Sequence, residues 1–463
     1  MTDLTKGSAL KQIFFFAIPY LIGNLFQQFY NIADMVIVGQ TIDAQAYAAV
    51  GATGSLVWLT TGAVQALTLG FSVLVAQAAG ANNQEQIKKA FGASIWLSGI
   101  FSVGLSAITV IFARPMLELL RTPDDIIDQA YRYLLWVFAG LIATALFNLL
   151  SNVIRALGDS KTPLYFLMFG CTINIVLDYI FIALCGMNTE GAGFATVLAQ
   201  LITGLLCILY ICKKQPLLHI TKKHLKWDRK MNRNLLRVAI PMSFLNMVLA
   251  VGSIVMQFVT NGFGTLYVTA QATGAKLEQF VTMPIMSFGS AVSVFAAQNY
   301  GANQLQRVIK SGRKALLLCY VWSILASIVI LPLGPFVIRL FIGSEVDPSV
   351  VENGYLYILV NTVLIFILSP LVIYKNVLQA IGQTFWTMVS GFSEILARAG
   401  TALLILFLMD GLHLFDEGMG FFLMCFANPM AWLFGLATVF FDYRSLMRKL
   451  KKRMEQEPPS SKE

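Results

Sequence analysis

Apolar residues run along this chain in long, nearly unbroken stretches such as Leu97–Phe112, Tyr165–Cys185 and Ala399–Met409 with its flanks. Each approaches the roughly 20 residues that a bilayer span needs. The stretches are continuous and do not alternate with period two, and lipid leaves no backbone polar group satisfied outside a helix or a closed barrel. The pattern therefore predicts helices near 13–38, 47–76, 91–113, 131–156, 163–185, 191–212, 236–260, 267–297, 314–341, 352–381, 385–409 and 417–443. The first stretch begins near Ile13, holds Pro19 and is followed by no small-residue cleavage site, so the first helix is expected to be retained.

Composition supports spans over one large core, because 57% of the 463 residues are hydrophobic and 12% charged, against about 25% charged in soluble domains. The basic residues sort to one side of the predicted spans: Lys88 and Lys89, Arg155 and Lys161, the segment Lys213 to Arg237, Arg307 to Lys314, and Arg444 to Arg453. That side is cytoplasmic by the positive-inside rule, which places both termini inside and the chain as a multi-pass protein of the cytoplasmic (inner) membrane. Asp43, Asp124, Asp125, Asp128, Glu190, Glu345, Asp347, Glu352, Asp416 and Glu417 collect on the other side, with few basic residues beyond Arg114, Arg121, Arg132 and Arg339. The net charge of +9 follows the cytoplasmic loops, where it meets anionic lipid of the bilayer, and no nucleic-acid partner is expected. Six scattered cysteines show no metal-like spacing and read as small packing residues.

The chain repeats itself at an offset of about 222 residues. Ile18-Pro19 returns as Ile240-Pro241, Ala76-Gln77…Gly80-Ala81-Asn82 as Ala297-Gln298…Gly301-Ala302-Asn303, and Asn152-Val153-Ile154-Arg155-Ala156-Leu157-Gly158 as Asn376-Val377-Leu378-Gln379-Ala380-Ile381-Gly382. Six spans per repeat, an even number, insert both halves in the same orientation. The expected fold is an all-α membrane protein of twelve transmembrane helices, in two parallel six-helix lobes related by a pseudo-two-fold axis along the membrane normal. The N-lobe covers 1–212, a basic cytoplasmic linker 213–237, the C-lobe 238–443, and a charged, disordered cytoplasmic tail 444–463.

The pattern Ile18-Pro19…Asn31-Ile32-Ala33-Asp34…Val38-Gly39, joined to the twelve-span parallel repeat, resembles the multidrug and toxic compound extrusion family. The resemblance covers the whole chain. It implies export of mostly cationic, amphipathic small molecules by alternating access, coupled to inward proton or sodium flow, by a monomer and without a cofactor. Flippases of the same superfamily, which move lipid-linked precursors, share the architecture and form the alternative.

Charged residues inside a span are expensive, by roughly 2.5–3.5 kcal/mol on insertion scales, and mark functional sites by default. Asp34 in the first span and Asp178 in the fifth are such residues, and Asn174 shares a helical face with Asp178. Thr196 opens the next span at similar depth. The resemblance matches Asp34, Asn174, Asp178 and Thr196 to an N-lobe cation-coupling site, with Asn148 a further polar member. An all-oxygen cluster suits a hard cation such as sodium. It equally suits a proton, since two neighbouring carboxylates in low dielectric do not both ionise cheaply. Hydrogen bonds that pin helix packing are the structural reading of the same residues.

The acids do not repeat: Asp34 falls opposite Met256, and Asp178 close to Ala399. The C-lobe instead carries Lys276 and Glu278, and Glu394 with Arg398 one turn apart, which reads as a structural ion pair. Glu278 and Gln271 are candidates for the substrate cavity, the carboxylate facing a cationic substrate among adaptable Phe and Met walls. An enzyme is not expected: His219 and His224 lie in the linker and His413 near an outer loop, and no GxxxxGK[ST] motif for nucleotide occurs.

Overall fold

The computed structural model describes residues 2–342, 347–411 and 413–456, and all regular structure among them is helical. The first half holds α1 (Ala9–Thr41), α2 (Ala44–Gly80), α3 (Gln84–Leu119), α4 (Ile127–Ala139), α5 (Leu141–Ala156), α6 (Lys161–Asp178) and α7 (Thr189–Lys214). The second holds α8 (Arg229–Asn261), α9 (Thr265–Gly301), α10 (Leu305–Ile342), α11 (Pro348–Val363), α12 (Ile365–Ala380), α13 (Phe385–Leu406), α14 (Glu417–Met424) and α15 (Ala427–Gln456). Ten of the helical segments are long and apolar enough to cross a membrane, and α4–α5 and α11–α12 qualify as pairs bent by 45° and 51°. Counting each bent pair as one span gives twelve, and the chain is a multi-pass membrane protein.

The bend between α4 and α5 falls at Gly140, where a Cβ would stand 2.1 Å from Val197 Cγ2 of α7. Glycine there lets α7 seat against the bend. Pro19 and Pro241 lie inside α1 and α8, which continue through them. α6 and α13 each end in a π-helical turn, Tyr179–Leu184 and Phe407–Gly411.

Two readings of the sequence need adjustment. The last helix does not stop near 443: α15 runs to Gln456, because Tyr443, Leu446 and Leu450 form a buried stripe at helical spacing and Tyr443 stacks on Tyr374 at 4.0 Å. The rest of the tail, 457–463, and the outer acid Glu345 lie outside the described residues. The basic linker is also shorter than expected, since Asp228 caps α8 by accepting the N–H groups of Lys230 and Met231 at 2.9 and 3.0 Å.

The chain forms two compact units: Met1–Lys6, Ile18–Met247 and Ala297–Asn303 make the first, and Gly7–Ala17, Val248–Ala296 and Gln304–Glu463 the second. Within the first unit α8 packs on α2. A Cβ on Gly70 would lie 2.5 Å from Ala239 Cα, and Ser243 Oγ donates to Ala63 O at 2.9 Å. The repeated Ala-Gln…Gly-Ala-Asn segments meet there too. A Cβ on Gly80 would fall 1.8 Å from Gln298 O, and one on Gly301 would fall 1.8 Å from Gln77 O. Asn82 and Asn303 both take left-handed backbone, φ 52° and 55°, a conformation asparagine tolerates better than most residues. The repeated motif is thus a backbone-to-backbone crossing that only glycine permits, followed by a left-handed turn.

Candidate functional site

In the first unit, four helices bring polar side chains together. α1 presents Tyr30 and Asp34 one turn apart, α6 presents Asn174 and Asp178 likewise, α7 supplies Thr196, and α4 supplies Tyr133. α6 is set at its start by Asp159, whose Oδ1 accepts from Thr162 N at 3.0 Å and whose Oδ2 accepts from Tyr210 Oη at 2.8 Å. At its far end the helix widens into the π turn directly after Asp178. Such turns re-aim side chains and are frequent at functional sites.

Asp34 is 6% exposed and Asp178 is fully buried. Their carboxyl groups approach within hydrogen-bond reach of one another. The Asn174 amide lies between Asp178 and α7. With Nδ2 donating to Asp178 Oδ2 at 3.0 Å, its Oδ1 accepts from Thr196 N at 3.2 Å. Tyr30 Oη and Thr196 Oγ1 are 3.2 Å apart. Tyr133 is buried close enough to both acids to feel their charge. Oδ1 of Asp34 and Oδ1 of Asp178 have no donor, and no Lys, Arg or His pairs with either acid among the described residues. One turn beyond the acids, Val38 and Ile182 join an apolar cluster with Tyr133, Leu134 and Phe138, which keeps water from that side.

Asp34, Asp178, Asn174 and Thr196 are therefore adjacent. Asn148 is not joined to them by a hydrogen bond: its Nδ2 donates to Thr144 O of its own helix at 2.8 Å. Tyr30 and Tyr133 were missed by the sequence reading. Tyr30 carries a legible signal, because it precedes Asp34 by four residues on one helical face. Tyr133 carries none, since an aromatic in an apolar run looks like core.

The acids of the second unit are arranged differently. Glu278 on α9 accepts from Tyr357 Oη of α11 at 2.8 Å, and Asn428 Nδ2 of α15 donates to Tyr357 Oη at 2.9 Å and reaches Glu278 Oε2 at 3.3 Å. Arg398 stands near enough for its charge to act on Glu278. Gln271 lies two turns earlier on α9, buried, with Oε1 lacking a donor.

Glu394 does not pair with Arg398 as the i, i+4 spacing suggests. It is held by Lys375 of α12 in a buried ion pair, and Ser390 Oγ donates to it at 3.0 Å. α13 turns Glu394 toward α12 and α15, where Gly435 leaves room: a Cβ there would be 2.6 Å from Glu394 Cγ. Arg398 Nε is buried without a hydrogen-bond partner.

A multi-pass all-α bundle in which one buried pair of carboxylates has no basic partner among the described residues fits a membrane transport protein. Comparison with known proteins makes the class specific. The MatE family profile matches residues 19–180 and 241–404, once in each repeat, and the chain belongs to the MatE family of membrane transporters, which are not enzymes. It is 29% identical over 356 residues to the probable multidrug resistance protein YpnP of Bacillus subtilis (77% of this chain, 79% of the relative). It is 28% identical over 397 residues to the probable multidrug resistance protein YoeA of the same organism (84% and 85%). A crystal structure of a MATE protein in complex with MaL6 superimposes with a TM-score of 0.88 at 21% identity, over 98% of this chain and all of the other.

Proposed function

We propose that this protein exports small amphipathic, often cationic compounds from the cytoplasm, across the inner membrane, in exchange for a proton or a sodium ion bound by Asp34 and Asp178. The observation that carries the reading is the meeting of two buried carboxyl groups with unpartnered oxygens and no basic partner. Two carboxyls hydrogen-bond to one another only through a proton, and two carboxylates sit side by side only around a cation. Either ion gives the cluster a loaded form, in which α1 and α6 are drawn together, and an unloaded form, in which like charges push them apart. Tyr30, Asn174 and Thr196 add oxygen ligands or donors around the same point. Both the multidrug names of the relatives and the resemblance of the Asp34 segment support drugs and toxic compounds as substrates.

Glu278, with Gln271 on the same helix, supplies a negative surface for a cationic substrate in the second unit. The flippase alternative calls for several basic residues at mid-depth to meet a lipid-linked phosphate; Lys276, Arg398 and Lys375 are the ones there, Lys375 is neutralised by Glu394, and the multidrug names of the relatives speak for export. The test is efflux of a fluorescent lipophilic cation from proteoliposomes under a proton gradient and a sodium gradient imposed separately. Efflux driven by one of them and lost in Asp34→Asn is expected, and it names the ion. Efflux indifferent to both gradients would refute coupling.

A further inference from the structure

A groove of about 580 Å³ runs over α5 between α3 and α7, lined by Ile95 and Gly99 of α3, Ile142 and Leu146 of α5, and Ile208 and Cys212 of α7. Its size falls within the roughly 300–1,000 Å³ of ligand pockets. It is continuous with an outward apolar surface: Ile100, Val103, Leu205 and Leu209 on the flanking helices are all about half exposed or more, as expected of a lipid-facing wall. A Cβ on Gly99 would meet nothing within 4 Å, so the space above α3 is open.

One end is closed by the linker, which is firmly seated. Leu218 is buried in the groove wall, His219 Nε2 lies 3.1 Å from Ile211 O, and Trp96 Nε1 donates to Leu225 O at 3.0 Å. A Cβ on Gly92 would stand 2.3 Å from His224 O, so α3 and the linker backbone touch directly. In the chain beside the lining residues, Lys213 and Lys214 directly after Cys212 and Lys222 two residues after Ile220 are exposed, as are Trp96 and Trp227. Trp with Lys is the composition of a membrane interface that faces anionic headgroups.

We propose that the groove is a binding site for an anionic glycerophospholipid, one acyl chain lying along α5 and the phosphate resting on Lys213, Lys214 and Lys222. An apolar slot whose lining residues Cys212 and Ile220 are followed in the chain by exposed Lys213, Lys214 and Lys222 suits such a lipid in both shape and charge. A zwitterionic lipid fills the slot equally but gains little from the lysines. Occupancy also ties the linker to α3 and α7 through the lipid.

Cys212 offers the probe, because it lines the groove and the other exposed cysteine, Cys185, is removed by Cys185→Ser. The full chain, labelled with bimane and placed in nanodiscs, is titrated with lipid brominated on its acyl chains. Brominated phosphatidylglycerol is expected to reach half-quenching at a several-fold lower mole fraction than brominated phosphatidylcholine. Lys213→Gln/Lys214→Gln/Lys222→Gln is expected to merge the two curves, and Gly99→Leu to weaken quenching by both lipids without loss of folded protein. Coincident curves in the Cys185→Ser protein would overturn the proposal and leave an ordinary lipid-facing surface. A preference that survives the triple substitution would overturn the headgroup assignment. Native mass spectrometry of the unlabelled chain, reading retained phosphatidylglycerol with and without Gly99→Leu, covers the case in which the label itself blocks the groove.

Discussion

The two units bury acids in opposite ways. In the first, Asp34 and Asp178 face one another with oxygens left over and no basic partner among the described residues. In the second, Glu394 is neutralised by Lys375, and Glu278 takes a hydrogen bond from Tyr357 beside the charge of Arg398. A common repeat has thus been given an uncompensated pair on one side and, on the other, one acid in an ion pair and one held by neutral donors. Compensation fixes structure, since a paired charge has no reason to move. An uncompensated pair favours a mobile cation, which is why the proposed coupling site is placed there.

The comparison breaks first at the acid pair. Asp34→Asn is expected to abolish gradient-driven efflux while the purified protein keeps its thermal stability, and Asp178→Asn to weaken coupling strongly; normal efflux by both variants would end the account. Next in size is the opposite outcome in the second unit. Lys375→Met leaves Glu394 buried without a counter-charge, which costs about 3–5 kcal/mol, and a fall in melting temperature in detergent is expected, with efflux per folded molecule retained. Lys375→Met/Glu394→Leu is expected to recover most of that stability, and a double variant no better than the single one would show that the pair is more than structural.

The helix crossing comes third. Gly301→Ala forces a methyl group onto Gln77 O, an overpacking on the order of 1–3 kcal/mol, read as a lowered melting temperature; an unchanged value would mean the crossing opens freely. The smallest change is Tyr30→Phe, which removes one hydroxyl from Thr196. About 0.5–1.5 kcal/mol is at stake, enough to shift the ion concentration for half-maximal efflux by several-fold without altering its maximum. A lost maximum would instead place Tyr30 among the ion ligands.

Much of this was legible in the chain because lipid leaves few options. Apolar length gave the spans, the 222-residue echo paired the halves, and the rarity of carboxylates in hydrocarbon singled out Asp34 and Asp178. What escaped depends on side-chain direction across helices. The true partner of Glu394 is Lys375, 19 residues away on another helix, while the local i, i+4 rule points to Arg398. At the bend of the fourth span Gly140 leaves room for Val197 of another helix, which no local pattern reveals. The continuation of α15 was hidden because its charged residues mask the buried stripe of Tyr443, Leu446 and Leu450. Why Gly80 and Gly301 recur was equally invisible: each repeat holds half of one crossing.

The most direct test of the proposed coupling site is ion release on substrate binding. The purified protein in weakly buffered detergent receives a lipophilic cation while proton release, or displacement of prebound radioactive sodium, is recorded. About one proton or one sodium ion per protein is expected, and none from Asp34→Asn. Undiminished release from Asp34→Asn would contradict the claim that the Asp34–Asp178 pair holds the coupling ion.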